Sequence, residues 1–362
     1  MLPPRWFRRA VMAPVVPLLT VALLVTLPLT LIGAAVASTW LPGRWRGLRV
    51  LYFALVYLVV DSLTLLWLFV LWLGSGLGRH VHEERWQARH YALMRVYLGL
   101  MVSTARRTFA VELVTETAES EDGGQARAAE GTPTADASTP ILVFSRHAGP
   151  GDSFLLVHEL LQRGYRPRVV LKGALQWAPV VDVALNRVPS FFVAPGSARG
   201  LGAAAVRELA AGLGPWGALV IFPEGANYTP HRRLRSIAKL EEQGRHDEAE
   251  AAREMRHVLA PRSGGALAAL AGAPDADVRF VAHTGLEDLS SLADLWRGIP
   301  MESSVQVRTW RVPRPEVPRT PAAADAWLQW WWRRIDAWLV AVHGESAAPD
   351  AVVETVRRRD PG

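Results

Sequence analysis

Residues 141–153 read ILVFSRHAGPGDS. The apolar run ILVF, bounded by polar and turn-forming residues, suits a strand buried on both faces. The segment 152–163, DSFLLVHELLQR, has the spacing of a helix. Comparable apolar runs follow at RVVL (168–171), FFVA (191–194), ALVIF (218–222) and VRFVA (278–282), and 201–211 is again helical in pattern. Strands alternating with helices predict an α/β domain over 140–345, built on a mixed, largely parallel sheet flanked by helices. Upstream, FAVELVT (109–115) alternates like a strand.

Working outward, the N-terminal region has a different character. A basic start containing Arg5, Arg8 and Arg9 precedes an uncharged apolar run from Val11 to about Thr39. A second run extends from Val50 to Leu73, interrupted only by Asp61. Both exceed the roughly 20 residues a bilayer-crossing helix needs. Residues 1–78 are therefore expected to form a two-helix transmembrane hairpin, bent where Pro14, Pro17 and Pro28 fall. Arginines before the hairpin and at Arg79, Arg85, Arg89 and Arg95 favour an integral protein of the cell membrane with its α/β domain facing the cytoplasm. Arg44, Arg46 and Arg49 sit in or beside the connecting loop and weaken that bias. Asp61, at mid-membrane depth, would be protonated or paired with Ser62 or Thr64.

Residues 79–117 read as a basic amphipathic juxtamembrane helix and the first strand. There His80, His82 and Glu84 suit a solvated face better than a metal cluster. The segment 118–139 has no large apolar side chain and reads as a flexible insertion, and 346–362 reads as a disordered tail. The Trp-rich segment 322–343 fits either an interfacial membrane helix or a helix closing the domain. Leu234 to His257 is charged throughout and reads as a solvated helix. GLGPWG (212–217) precedes a strand rather than following one, so it is a loop and not a dinucleotide site.

The chain of 362 residues is half apolar, has no cysteine and carries a net charge of +6. Thiol nucleophiles, thiolate metal sites and disulfides are excluded. With no zinc-finger spacing and no basic strand interleaved with aromatics, the positive charge points to a membrane surface or an anionic substrate, not to nucleic acid.

Two motifs follow strands. In SRHAGPGDS, His147 and Asp152 are separated by a turn that can fold the carboxylate back onto the imidazole, fixing its tautomer and raising the basicity of the other nitrogen. Asp152 or Ser153 could equally be a plain helix cap. In IFPEGANYT (221–229), Glu224 and Gly225 stand at a strand end, where a polar turn would look the same.

Taken together, an HxxxxD motif followed by FPEG about 70 residues later resembles the phospholipid/glycerol acyltransferase family, which includes the 1-acylglycerol-3-phosphate acyltransferases. LKGALQWAP (171–179), with Lys172, Trp177 and Pro179, resembles its Lys…Pro stretch, and SFFVA (190–194) a later block. Pro230 to Gly265 is similar to the lysophospholipid and lysocardiolipin branch, and VRFVAHTG (278–285) to the fourth block. The resemblance covers about 140–290. It implies acyl transfer from acyl-CoA or acyl carrier protein, as co-substrate, to a glycerolipid hydroxyl at a bilayer, with no cofactor and no metal. His147 would be the base, Asp152 its orienting partner, and Glu224 and Gly225 would position the acceptor. A thioester hydrolase, or a non-catalytic membrane-binding protein, is the alternative on this scaffold. Departures are Arg146 where the family has Asn, Pro195 where its phosphate-binding Arg belongs, and Asn227 after FPEG. Lys172, Arg187, Arg199, Arg232 and Arg262 are the basic candidates for substrate binding.

Overall fold

The computed structural model describes residues 2–40, 45–118, 138–149, 151–193, 199–286 and 304–344. The insertion at 118–139, Pro195 and the C-terminal tail thus fall almost wholly outside the described residues. The strands are β1 (Glu112–Ala118), β2 (Ile141–Ser145), β3 (Arg166–Lys172), β4 (Ser190–Val193), β5 (Gly217–Ile221), β6 (Asp277–Thr284) and β7 (Ser304–Val312). Two compact units emerge, one drawn from Met1–Glu112, Phe154–Gly202 and Leu295–Ser304, the other from Leu113–Ser153, Ala203–Asp294 and Val305–Gly362.

The second unit carries the strand order β1-β7-β6-β2-β5. β2 lies parallel to both β5 and β6, and β7 runs antiparallel to β6. Having a neighbour on each side is why ILVFS is buried at every position. Phe144 and Phe280 meet edge to face, with ring centroids 5.7 Å apart. The helix Pro321–His343 closes this core: Trp331 stacks on Phe280 at 4.3 Å, and Trp332 is wholly buried. The Trp-rich segment is therefore the domain-closing helix of the two alternatives, although Trp330 remains exposed. β7, which the sequence reading missed, supplies Trp310 to the same aromatic core.

Leu234 to His257 is not one solvated helix. It forms two, Pro230–Glu242 and His246–Glu254, broken at Gly244, whose φ of +70° suits glycine. Their facing sides bury Ile237, Ala249 and Ala252, and the buried Arg233 guanidinium donates to the Met255 carbonyl.

The first unit holds the parallel pair β3 and β4 and the N-terminal helices. Here the first apolar run departs from expectation. It is not one helix but two, Arg5–Val25 and Leu27–Trp40, interrupted at Thr26. Pro28 has no N–H to continue the first ladder and its ring would crowd the preceding turn. Among the described residues, two helices are long and apolar enough to cross a membrane, Arg5–Val25 and Arg46–Gly74. The amphipathic segment forms Glu84–Phe109. Asp61 is paired neither with Ser62 nor with Thr64: the Tyr97 hydroxyl donates to it at 2.8 Å, while Thr20 and Ser62 bond each other at 2.7 Å.

Candidate active site

Register explains why motifs so distant in sequence converge. Phe144 of β2 is level with Ile221 of β5, so both strands deliver their next residues to the same sheet edge. His147 leaves from β2, and Phe222 to Gly225 leave from β5. β6 joins them, with Ser145 level with Val281, which brings His283 to that edge as well. Carboxyl ends of parallel strands are where such folds gather functional groups.

The His147 Nδ1 lies 2.8 Å from Asp152 Oδ2. That oxygen also accepts the Ala148 and Gly149 amides at 2.9 and 3.2 Å, so the turn wraps around the carboxylate. The other oxygen accepts the Ser153 amide and its hydroxyl. Gly149 is required by close approach: a Cβ there would sit 2.7 Å from the Leu286 carbonyl oxygen. Burial alone would raise the Asp152 carboxyl, but the His147 hydrogen bond, the nearby His283 and His147 charges and the Gly149 amide outweigh it and hold it below its ordinary value. His147 itself is 15 % exposed, and its ring leans on Phe222 at 4.4 Å between centroids.

Glu224 is buried and acts as a splint. One oxygen accepts the His147 amide and the other the Leu259 amide, each at 3.0 Å. Tyr228 completes the brace by donating its amide to the His147 carbonyl at 2.6 Å. Burial lifts the Glu224 carboxyl to about 8, against the pull of Arg146 and the two amides. In this raised case the folded state binds the proton more tightly, so the carboxyl stabilises the fold fully below about 4.5. That contribution fades as pH climbs towards 8. Glu224→Gln cannot titrate, and it should flatten this decline while losing about 1–3 kcal/mol, because its NH₂ faces an amide donor. Chemical denaturation of both proteins across pH 4.5–8 checks this. An equal slope in the two would mean that the carboxyl titrates elsewhere.

Arg146, where the family has Asn, is fully buried. Its guanidinium donates to the His257 carbonyl at 2.8 Å and to that of His283 at 2.5 Å, and lies over the Tyr228 ring. Asp336, from the closing helix, accepts the Arg256 and His257 amides at 2.9 and 2.6 Å, holding that carbonyl in place. The substitution is thus part of the frame behind His147 and not a surface charge.

His283 was not singled out in sequence. Its Nε2 lies 3.6 Å from Asp152 Oδ2 and 3.0 Å from the Arg146 carbonyl. Only the pairing of β6 beside β2, which the linear sequence does not state, puts a second imidazole against that carboxylate. Of the basic candidates, Arg262 is exposed and its guanidinium packs over Gly225, 3.3 Å from where a Cβ would be. Gly225 has φ +70°. Arg232 bonds the Asn227 carbonyl at 3.1 Å. Lys172 and Arg187 belong to the first unit, where Lys172 is exposed and Arg187 donates to the Leu68 carbonyl at 2.6 Å. Arg199 opens the helix Arg199–Ala211. Among the described residues no group of three or more His, Asp and Glu could hold a metal ion.

Residues 126–278 match the family model described as Acyltransferase. The match is to that stretch alone, and it supports acyl transfer as a general activity. Comparison with curated proteins and with solved structures gives no match.

Proposed function

We propose that this chain transfers a fatty acyl group from a thioester, acyl-CoA or acyl carrier protein, to a hydroxyl of a membrane glycerolipid of the 1-acylglycerol-3-phosphate type. The observation that carries this reading is the bond from His147 Nδ1 to a buried, ionised Asp152. With Nδ1–H donated to the carboxylate, Nε2 keeps its lone pair for a substrate hydroxyl. That nitrogen takes the hydroxyl proton as the oxygen attacks the thioester carbonyl carbon. The C–S bond then breaks, and the departing thiolate takes the proton from the imidazolium. No covalent enzyme intermediate is needed, in keeping with the absence of cysteine and of a GxSxG elbow.

Glu224 fixes the backbone of His147, and Gly225 lets the Arg262 guanidinium pack close over the turn. Of the basic candidates in the unit that holds His147, Arg262, lying over Gly225, is better placed than Arg232, which bonds the Asn227 carbonyl, to meet an acceptor phosphate. The apolar N-terminal helices would keep the domain at the bilayer where such acceptors reside.

A panel with labelled acyl-CoA and purified protein in lipid tests the proposal. It compares lysophosphatidic acid, glycerol phosphate, lysocardiolipin, a neutral glycolipid and no acceptor. An ester product that appears only with a lipid acceptor is expected. Equal release of free fatty acid without any acceptor would replace the reading with thioester hydrolysis. Intact acyl-CoA throughout would leave a non-catalytic protein.

A further inference from the structure

The peptide bond between Arg146 and His147 is held at both ends. Its N–H, that of His147, donates to Glu224 Oε1 at 3.0 Å. Its carbonyl, that of Arg146, lies 3.0 Å from the Nε2 of His283. The same nitrogen is 3.6 Å from Asp152 Oδ2, the oxygen that faces His147 Nδ1 at 2.8 Å. Both oxygens beside His283 Nε2 are acceptors, so that nitrogen carries a proton and donates it. One buried N–H thus stands between the backbone that carries His147 and the carboxylate that orients its ring.

The sheet fixes this placement. β6 lies between β2 and β7, and His283 is level with Val307 of β7. The Arg146 guanidinium donates to the His283 carbonyl at 2.5 Å, and the Arg146 amide donates to the Val281 carbonyl at 2.9 Å. One residue further on, the Thr284 hydroxyl and the His343 Nε2 are 2.9 Å apart, tying the strand to the closing helix. The second imidazole is therefore positioned by strand pairing and not by the turn it serves.

Two consequences follow from that position. A carbonyl released from His283 lets the Arg146–His147 peptide rotate, and with it the Cα from which the catalytic ring is aimed. Each hydrogen bond to an ionised carboxylate also makes it a weaker base, so losing one strengthens its pull on a protonated His147. Burial pushes the Asp152 carboxyl up, and the His147 bond and then the His283 charge pull it down. The other charged and titratable groups around the pair are Arg146 at the end of β2 and Glu224 after β5. Through Thr284 come His343 and, stacked on it, His257. On β7 the register partner is the uncharged Val307, and Arg308 is level with Ala282 on the opposite face.

We propose that His283 is a positioning residue for His147: its Nε2–H pins the Arg146 carbonyl and shares the Asp152 carboxylate. It thereby fixes the aim of the His147 ring and restrains the pull on that ring's proton. The inference rests on His147 as the base of the proposed acyl transfer. His283→Gln carries an amide N–H to the place of Nε2, whereas the amide of His283→Asn reaches only the place of Nδ1. Both are studied as the full chain in lipid with thermal unfolding alongside, and His283→Phe replaces the Asn variant if that does not fold. In His283→Asn, acyl transfer should slow about 10–100-fold with little change in acceptor KM, the cost of a misaimed group. His283→Gln should restore most of the rate. Diethyl pyrocarbonate attacks only unprotonated imidazole, and peptide masses read its reaction with the partly exposed His147 without any substrate. The pH of half-maximal labelling at His147 should rise by about half a pH unit in His283→Asn, because the protonated ring is better held. In His283→Gln it should return to the wild-type position. An unmoved labelling curve in the folded Asn or Phe variant, or a Gln variant as slow and as shifted as Asn, would overturn the proposal. A labelling shift in a chain whose wild type transfers no acyl group would sink the acyltransferase reading and leave His283 in its positioning role.

Discussion

His147→Ala should fold much as the wild-type chain does and turn over about 10²–10⁴ times more slowly, the usual worth of a general base. The two halves of that expectation come from different parts of the geometry. The imidazole is partly exposed, and its removal leaves Asp152 still accepting from Ala148, Gly149 and Ser153. One hydrogen bond and the contact with Phe222 are lost, so the cost in stability is about 1 kcal/mol. The catalytic loss is expected to be much larger, because among the described residues the other imidazole beside this carboxylate, His283, is buried and its Nε2 faces the Arg146 carbonyl. Turnover per folded molecule, with thermal unfolding run alongside, separates the two effects. Wild-type turnover in a well-folded variant would end the mechanism.

Asp152→Asn attacks the same pair from inside the protein and should carry the largest penalty. In serine-enzyme triads the equivalent change costs about 10⁴, because the amide no longer stabilises the imidazolium and can hold the wrong tautomer. Here the amide also meets trouble in the turn. Whichever way it is flipped, its NH₂ confronts an amide donor, either Ala148 and Gly149 or Ser153. A stability loss of about 1–3 kcal/mol should therefore accompany the kinetic one. The acid side adds a check. Because the native carboxyl is held below its ordinary value, its charge stabilises the fold above the unfolded value near 4 and ceases to do so as pH falls through the native one. That acid-linked loss should be weaker in Asp152→Asn. If activity fell only in proportion to the unfolded fraction, Asp152 would be a structural cap and nothing more.

Much of this arrangement was legible in the sequence. The strands of the parallel core announced themselves as short apolar runs, since strands covered on both sides have no polar face to show. The HxxxxD turn declared its own closure, because both partners lie within one loop. What was illegible depended on pairing. The place of β6 beside β2, and with it His283, is a fact of topology. Arg146 looked like a lapse from a family pattern until the carbonyls of His257 and His283 accounted for its charge. The N-terminal region was legible only in outline, for another reason: hydropathy sums a helix around its whole circumference. It therefore could not reveal that Asp61 and Thr64 share one side, nor that Thr26 and Pro28 divide the first run.

The brace supplied by Asp336 bears on how small a working version of this protein can be. The stretch matching the Acyltransferase model stops at residue 278, two residues into β6. A chain trimmed there would strip the central strand β2 of one neighbour and leave the Arg256 and His257 amides without their carboxylate. The His257 carbonyl, anchor of the guanidinium directly preceding His147, would be set loose with them. The portable unit is therefore longer than its recognisable part, and must run on through Asp336 to the end of the tryptophan helix before the histidine can be held still.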